Sequence, residues 1–583
     1  MKSFILYYLL LAVPPAASAQ YYLRGKILTE NNKPIPNATV YLHSSKLGYK
    51  TDFDGSFGFS SSKSIDTISV LHSAYQKQTL AVKTDAWQTI VLKISVEQIK
   101  QNAPKLNSFT KDRSNTKKHF PFVSDETYFQ LLENDFIQTS LYPTAGFSLN
   151  ANKASYSNIR RFVNSQSPPP PDAVRVEEMV NYFNLGCAAP TGQAIFNITS
   201  TLTTCPWNRN NELLLLKICA KKIDLEKVPA GNFVFLIDVS GSMDMPNRLP
   251  LVKEAFYLFV KNLRPIDKVT IVTYGGMVGT WLNTTSGADK DKIINRISVL
   301  EAAGDTPGES AIDAAYKLAK ANFIIGGTNR VILATDGDFN VGQTSEKALD
   351  ELISKYRETG IFLTCLGVGM GNFKDSKLQT LAKRGNGNYA YLDNLKEAEK
   401  VLVLELTETL YAVADNAFVN INFDEKYVKE YRLLGYDNKK EAIQINNNEI
   451  DGGEIGSGSS SMAIFEISPT KKIELDAIGT LHLTFNETIS KKNKVEEFIY
   501  KIPHSYSDTA NADAKFAAAV TLYGLKLKAS TFINNASWKL VKQIATEAVN
   551  IANAIQAEFL SLVNKTIEIY EPTKKKKKRG NEY

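Results

Sequence analysis

The chain is short of the residues that most metal, redox and acyl-transfer enzymes use. Only four of its 583 residues are cysteine, and Cys187, Cys205, Cys219 and Cys365 are too scattered for a disulfide framework. No C-x-x-C pair exists to hold zinc or exchange disulfides. Cys365 sits in the apolar run 361–368 and reads as a small core residue. An oxidising compartment would allow a bridge between any two of the other three, and spacing selects no pair. The five histidines (His43, His72, His119, His482, His504) all lie outside 230–410, so that stretch has no imidazole base or zinc cluster. There is no Gly-x-Ser-x-Gly elbow and no phosphate-binding loop. Beyond the N-terminus no run approaches the ~18 apolar residues of a membrane span.

A real excess of charge is also lacking. The formal net charge is +7, but Lys2 and the run Lys574–Arg579 carry it. Between residues 20 and 570, 61 basic residues face 59 acidic ones, once those seven and the acidic Glu571 and Glu582 are set aside. Nothing in the near-neutral body argues for nucleic acid. The tail at 571–583 reads as a solvated end that can lie near an anionic surface.

The N-terminus has Lys2, an apolar stretch Phe4–Val13 and Ala17-Ser-Ala19 before Gln20, the pattern of a secretory signal peptide over 1–19. No cysteine follows to carry a lipid anchor. The expected location is the periplasm or cell envelope, with the cell surface or secretion as alternatives. At this length several domains are expected.

Residues 20–98 alternate in polarity over short runs (22–28, 38–43, 56–59, 67–71, 89–94) and predict a small β-sandwich. Asp52 and Asp54 belong to a turn that needs no metal. Residues 99–124 read as a polar linker. A module at 125–229 follows, with helices near 154–164 and 173–183 and strands at 194–203 and 212–219.

Residues 230–410 alternate apolar strands (233–237, 268–274, 330–335, 361–368, 389–392) with amphipathic helices (248–263, 289–300, 309–322, 345–359, 375–384, 395–408). That order predicts a doubly wound, mostly parallel sheet. A β-rich module at 411–505 and a helical one at 506–570 complete the chain. The strands at 190–222 and 415–505 are expected to form one sandwich into which the α/β domain is inserted.

Ligands of such sheets bind beyond the carboxyl ends of the strands. Asp238-Val-Ser240-Gly-Ser242 follows the buried run 233–237, and Asp336-Gly-Asp338 follows 330–335. Thr306 lies in a loop that can reach the same edge. Asp238, Ser240, Ser242, Thr306 and Asp336 are five hard oxygen donors, suited to Mg²⁺, with Mn²⁺ and Ca²⁺ as alternatives. With few carboxylates bound directly, the ion would keep its electrophilicity and an open position.

These elements, in this order, resemble the metal-ion-dependent adhesion site of the von Willebrand factor type A domain. The resemblance implies the doubly wound fold and a metal that engages an acidic side chain of a partner. Other stretches are similar to exported bacterial YfbK-type proteins over roughly 125–570: 154–162, Pro169–Phe183, Cys205-Pro-Trp207, Ala334–Asn340, Gly385–Tyr389, 431–436 and Asp451–Gly456. Gly25, Pro36–Val40 and Thr51–Phe57 resemble the carboxypeptidase regulatory-like domain, of transthyretin-like fold. Asp305 and Glu309 crowd Thr306 with charge, a departure that bears on how an acidic partner would approach.

The expected function is that of an exported envelope binding protein whose metal site engages a protein or glycoconjugate. The alternatives are a scaffold with a structural metal and a metal-dependent hydrolase. Hydrolysis is disfavoured because Ser240 stands where an aspartyl phosphatase places its second Asp, and only Asp305, Glu309 or Asp338 could activate water. No catalytic residue is assigned, and an enzyme is not expected.

Overall fold

A computed structural model describes the chain from Tyr21 to Pro572, apart from residues 30–31, 53, 62, 73–74, 94–109, 113–125, 132, 150–151, 187, 276, 305–307, 338–345, 372, 437–453, 471–474, 489–494, 506–511 and 534–535. Residues 1–19, read as a signal peptide, and most of the basic tail therefore lie outside the described residues. The chain divides into two compact units, residues 1–104 and 105–583.

The first unit is a β-sandwich. A three-stranded sheet places Tyr21–Thr29 between Ser56–Ser61 and Trp87–Leu92, and a four-stranded sheet runs Leu47–Lys50, Thr39–Leu42, Ile65–His72, Tyr75–Lys83. Alternate residues such as Leu23, Ile27, Val40, Leu42, Ile68 and Val70 face a common core. The strands at 47–50 and 75–83 go beyond the sequence reading. In 75–83 only Val82 is buried, so the apolar alternation that betrays a strand is missing. Asp54 closes its turn by accepting bonds from the Ser56 amide and hydroxyl, consistent with a turn role.

In the second unit the α/β domain is a six-stranded sheet. Its order is Met277–Ser286, Lys268–Gly275, Gly231–Asp238, Thr328–Thr335, Ile361–Gly367, Tyr389–Tyr391. All neighbours are parallel except the first pair. The antiparallel edge strand 277–286 was not foreseen; most of its residues are exposed or half-buried, so it lacks a buried apolar run. The central strand 231–238 is buried at every position. Phe233, Phe235 and Ile237 pack under the helix Leu249–Lys261, where the Phe235 and Phe256 rings stack at 4.1 Å. Val234 and Leu236 pack on the other face, against the helix Gly308–Ala321. Each large apolar side chain so buried contributes about 1.5–3 kcal/mol.

Strands from both sides of this domain join in one sandwich. One sheet runs Ile137–Gln138, Val428–Leu434, Ser460–Pro469, Glu212–Ala220, Phe196–Thr204, and the other runs Thr144–Ser148, Ala412–Phe423, Ala477–Glu487, Val495–Pro503. They share a core including Leu214, Leu216, Val419, Phe465 and Leu483. The helices Ala512–Leu527, Trp538–Ala548 and Ala554–Tyr570 pack with Ala154–Asn164 and Val176–Tyr182 in a separate aromatic-rich core.

Buried ion pairs tie these layers together. Arg175 bonds Glu178 and Asp375, one Arg330 nitrogen donates to both Glu454 carboxylate oxygens at 2.7 and 2.9 Å, and Arg432 bonds Glu133 and Glu466. Cys219 is disulfide-bonded, whereas Cys205 and Cys365 are free and buried, the latter as expected; Cys187 lies outside the described residues.

The predicted helix 395–408 is interrupted. It runs as Leu395–Glu399, a π turn Lys400–Leu404 and Leu406–Leu410. A π turn brings residues five apart into line, and the Lys400 ammonium meets the Glu405 carboxylate at 2.8 Å.

Candidate metal site

The carboxyl ends of two adjacent parallel strands bring the first and last elements of the motif together. Ile237 is in register with Ala334, so Asp238 and Asp336 leave the sheet side by side. Both are fully buried. Asp238 folds the loop after it: one carboxylate oxygen accepts the Ser240 amide at 2.9 Å, and the other accepts the Thr335 hydroxyl at 2.8 Å and the Tyr274 hydroxyl at 3.3 Å. The Ser240 and Ser242 hydroxyls lie 3.1 Å apart, within hydrogen-bond distance of each other. Neighbouring corners of a Mg²⁺ octahedron lie about 3.0 Å apart for metal–oxygen distances near 2.1 Å. The two serine oxygens fit such an edge, and hydroxyls and carboxylates are the hard donors this ion prefers. Among the described residues no three His, Cys, Asp or Glu side chains cluster as a metal site, so a cation here would rely on the hydroxyls.

Thr306 lies outside the described residues, as do Asp305 and Asp338, and so does the side chain of Glu309. The segment leading to Thr306 is held against the first loop: the Ala303 amide donates to the Val239 carbonyl at 2.6 Å, and the Gly241 amide donates to Gly304 at 3.0 Å. Gly275 makes that approach possible, since a Cβ there would sit 2.7 Å from both the Val239 and Ala303 carbonyl oxygens. Gly337 turns the chain after Asp336 with a φ of +86°, which favours glycine.

Burial pushes the Asp238 carboxyl up to about 6, the bonds from Ser240 and Thr335 pull against that, and the Asp336 charge adds to it. One Arg248 guanidinium nitrogen lies 2.7 Å from the Asp336 carboxylate. The same nitrogen donates to the Ser242 carbonyl, and the other terminal nitrogen donates to the Met370 carbonyl at 2.8 Å. Arg248, 9% exposed, thus bridges three loops of the site. Nothing in the sequence pattern marked it: it follows Ser242 by six residues and precedes a helix, a position open to any long side chain.

The third of those loops is held from outside the α/β domain. The Gly371 amide donates to Glu126 at 2.7 Å, and Thr127 bridges to Lys374 and accepts the Ser376 amide. Glu126 was also missed, because its role exists only through contacts with residues 245 positions away.

Comparison with known proteins agrees with this architecture. Residues 232–403 match the von Willebrand factor type A domain, 122–215 von Willebrand factor, 408–569 the C-terminal region of uncharacterized protein YfbK, and 23–105 the CarboxypepD_reg-like domain. Uncharacterized protein YfbK of Escherichia coli (strain K12) is 38% identical over 489 residues, spanning 79% of this chain and 84% of that protein. The chain belongs to the YfbK family. The α/β domain of this YfbK relative is a von Willebrand factor type A domain, and its N-terminal sandwich is carboxypeptidase regulatory-like. Inter-alpha-trypsin inhibitor heavy chain H2 of Mus musculus is 24% identical over 306 residues, which are 49% of this chain but only 29% of that protein. Among solved structures, a von Willebrand factor type A protein from Catenulispora acidiphila is similar with a TM-score of 0.38 and 16% identity, covering 63% of this chain and 88% of that one. No helix among the described residues is long and apolar enough to cross a membrane.

Proposed function

We propose that this YfbK-family protein is a binding protein of the cell envelope. In this reading Asp238, Ser240, Ser242, Thr306 and Asp336 hold a divalent cation, Mg²⁺ in the simplest case, and the ion engages an acidic group on a protein or glycoconjugate. The observation that carries it is the Ser240–Ser242 hydroxyl pair, set at octahedral-edge spacing beside two buried carboxylates. The signal-like N-terminus supports export. No histidine lies in 230–410 to serve as an imidazole base, which favours binding over hydrolysis.

The test is capture of partners from envelope extract by the mature protein, with and without EDTA, followed by calorimetry on the captured partner. The reading expects capture to be lost with EDTA and with Asp238→Ala. Unchanged partner affinity combined with a lowered melting temperature would overturn it in favour of a scaffold with a structural metal.

A further inference from the structure

We propose that Arg248 is the positioning residue that gives the bound cation its affinity for an acidic partner; this rests on the metal-site reading above. The argument is one of charge. A divalent cation facing Asp238 and Asp336 alone is neutralised and has no surplus charge with which to attract a third carboxylate. Arg248, 2.7 Å from Asp336, returns one positive charge to the described part of the site. With Arg248 in place, the surroundings of an ion held there are one unit more positive toward whatever approaches from solvent than they would be without it.

The placement is built into the fold rather than a surface pairing. Arg248 is 9% exposed and Asp336 fully buried, so the pair is poorly screened by solvent. The side chain runs over Gly369, where an added Cβ would lie 2.6 Å from the guanidinium Nε and 2.9 Å from Cγ. Its planar fork also holds the Ser242 and Met370 carbonyls. The cation-binding loop, the Asp336 loop and the 369–371 loop therefore share one charged anchor. By weakening the pull of Asp336, Arg248 lowers affinity for the metal and raises the affinity of the loaded site for a carboxylate.

This opposition supplies the test. Mature wild type, Arg248→Gln and Arg248→Lys are titrated with Mn²⁺, and free ion is read by electron paramagnetic resonance. Acetate is then titrated into each Mn²⁺-loaded protein and followed by water-proton relaxation. Arg248→Gln is expected to bind Mn²⁺ about threefold or more tightly and acetate about fivefold or more weakly, the scale of one partly screened charge at close range. Arg248→Lys, which keeps the charge but loses the planar fork, should lie closer to wild type than Arg248→Gln does for both affinities. Acetate affinity unchanged or raised in Arg248→Gln overturns the proposal. So does a parallel loss of both affinities, which a merely structural role would produce. Wild type that takes up no Mn²⁺ overturns instead the metal-site reading on which the proposal stands.

Discussion

Glu126 grips Arg161 with both carboxylate oxygens at 2.8 Å, and one of those oxygens also accepts the Gly371 amide at 2.7 Å. A residue before the first helix of the flanking module thus fixes a loop beside the candidate metal site. The guanidinium between them is buried, and Arg161 pulls the Glu126 carboxyl below its usual range against the opposing effect of burial. Glu126→Ala would leave a buried cation unpaired, at a cost of about 3–5 kcal/mol. The expected outcome is that loss in urea unfolding, with faster amide exchange at Gly369–Gly371. A loss below about 1 kcal/mol with unchanged exchange would show that the loop holds itself.

Gly275→Ala tests the geometry of the site without touching any proposed ligand. The new methyl would meet two carbonyl oxygens at 2.7 Å and must push the 238–242 loop and the 303–304 segment apart. Overpacking of this kind costs about 1–3 kcal/mol. Metal affinity should fall about tenfold or more, read as a smaller rise in melting temperature on adding Mg²⁺. Full retention of that rise would mean that the two segments need not meet for the cation to bind.

What the sequence discloses and what it hides follow from how each feature is encoded. The strand ends carrying Asp238 and Asp336 are legible because a strand buried on both faces must be a continuous apolar run, and Gly241 and Gly337 mark the turns. The edge strand 277–286 is hidden because its exposed residues need no apolar pattern. The break in 395–410 is hidden because Lys400 and Glu405 satisfy each other, so the periodicity of a normal helix persists in the letters while the backbone departs from it. Arg248 and Glu126 act through partners distant in sequence, and no local spacing announces them.

Arg160 ties the last helical segment of the α/β domain to both helical neighbours. It bonds Asp393 and Glu397 beside that segment, Tyr182 in the flanking module and Glu558 in the C-terminal helix. Removing it strands two carboxylates that are almost fully buried. Arg160→Met should destabilise by about 3–5 kcal/mol and give earlier proteolysis between 395 and 410. Arg160→Lys should recover only part of that loss, since one ammonium cannot replace a fork that reaches four partners. Equal stability of the lysine variant and wild type would show that charge alone suffices.

The Arg330–Glu454 pair gives a pH signature with a definite sign. Burial pushes the Glu454 carboxyl up to about 7 from an ordinary value of 4.5, and the adjacent Arg330 offsets that only in part. Between those values the folded chain holds a proton that the unfolded chain has released. Stability from this group is therefore fully present below about 4.5 and is lost as pH rises through 7. Glu454→Gln removes the titration while keeping the shape and one acceptor for Arg330. Glu178, raised to about 7 by burial in the same way, titrates in both proteins and cancels in the comparison. The stability of wild type minus that of Glu454→Gln should thus decline between pH 5 and pH 8, by up to a few kcal/mol, in denaturant melts at matched ionic strength. A difference that is flat or rises with pH would mean that Glu454 is ionised throughout, its charge met by Arg330 alone.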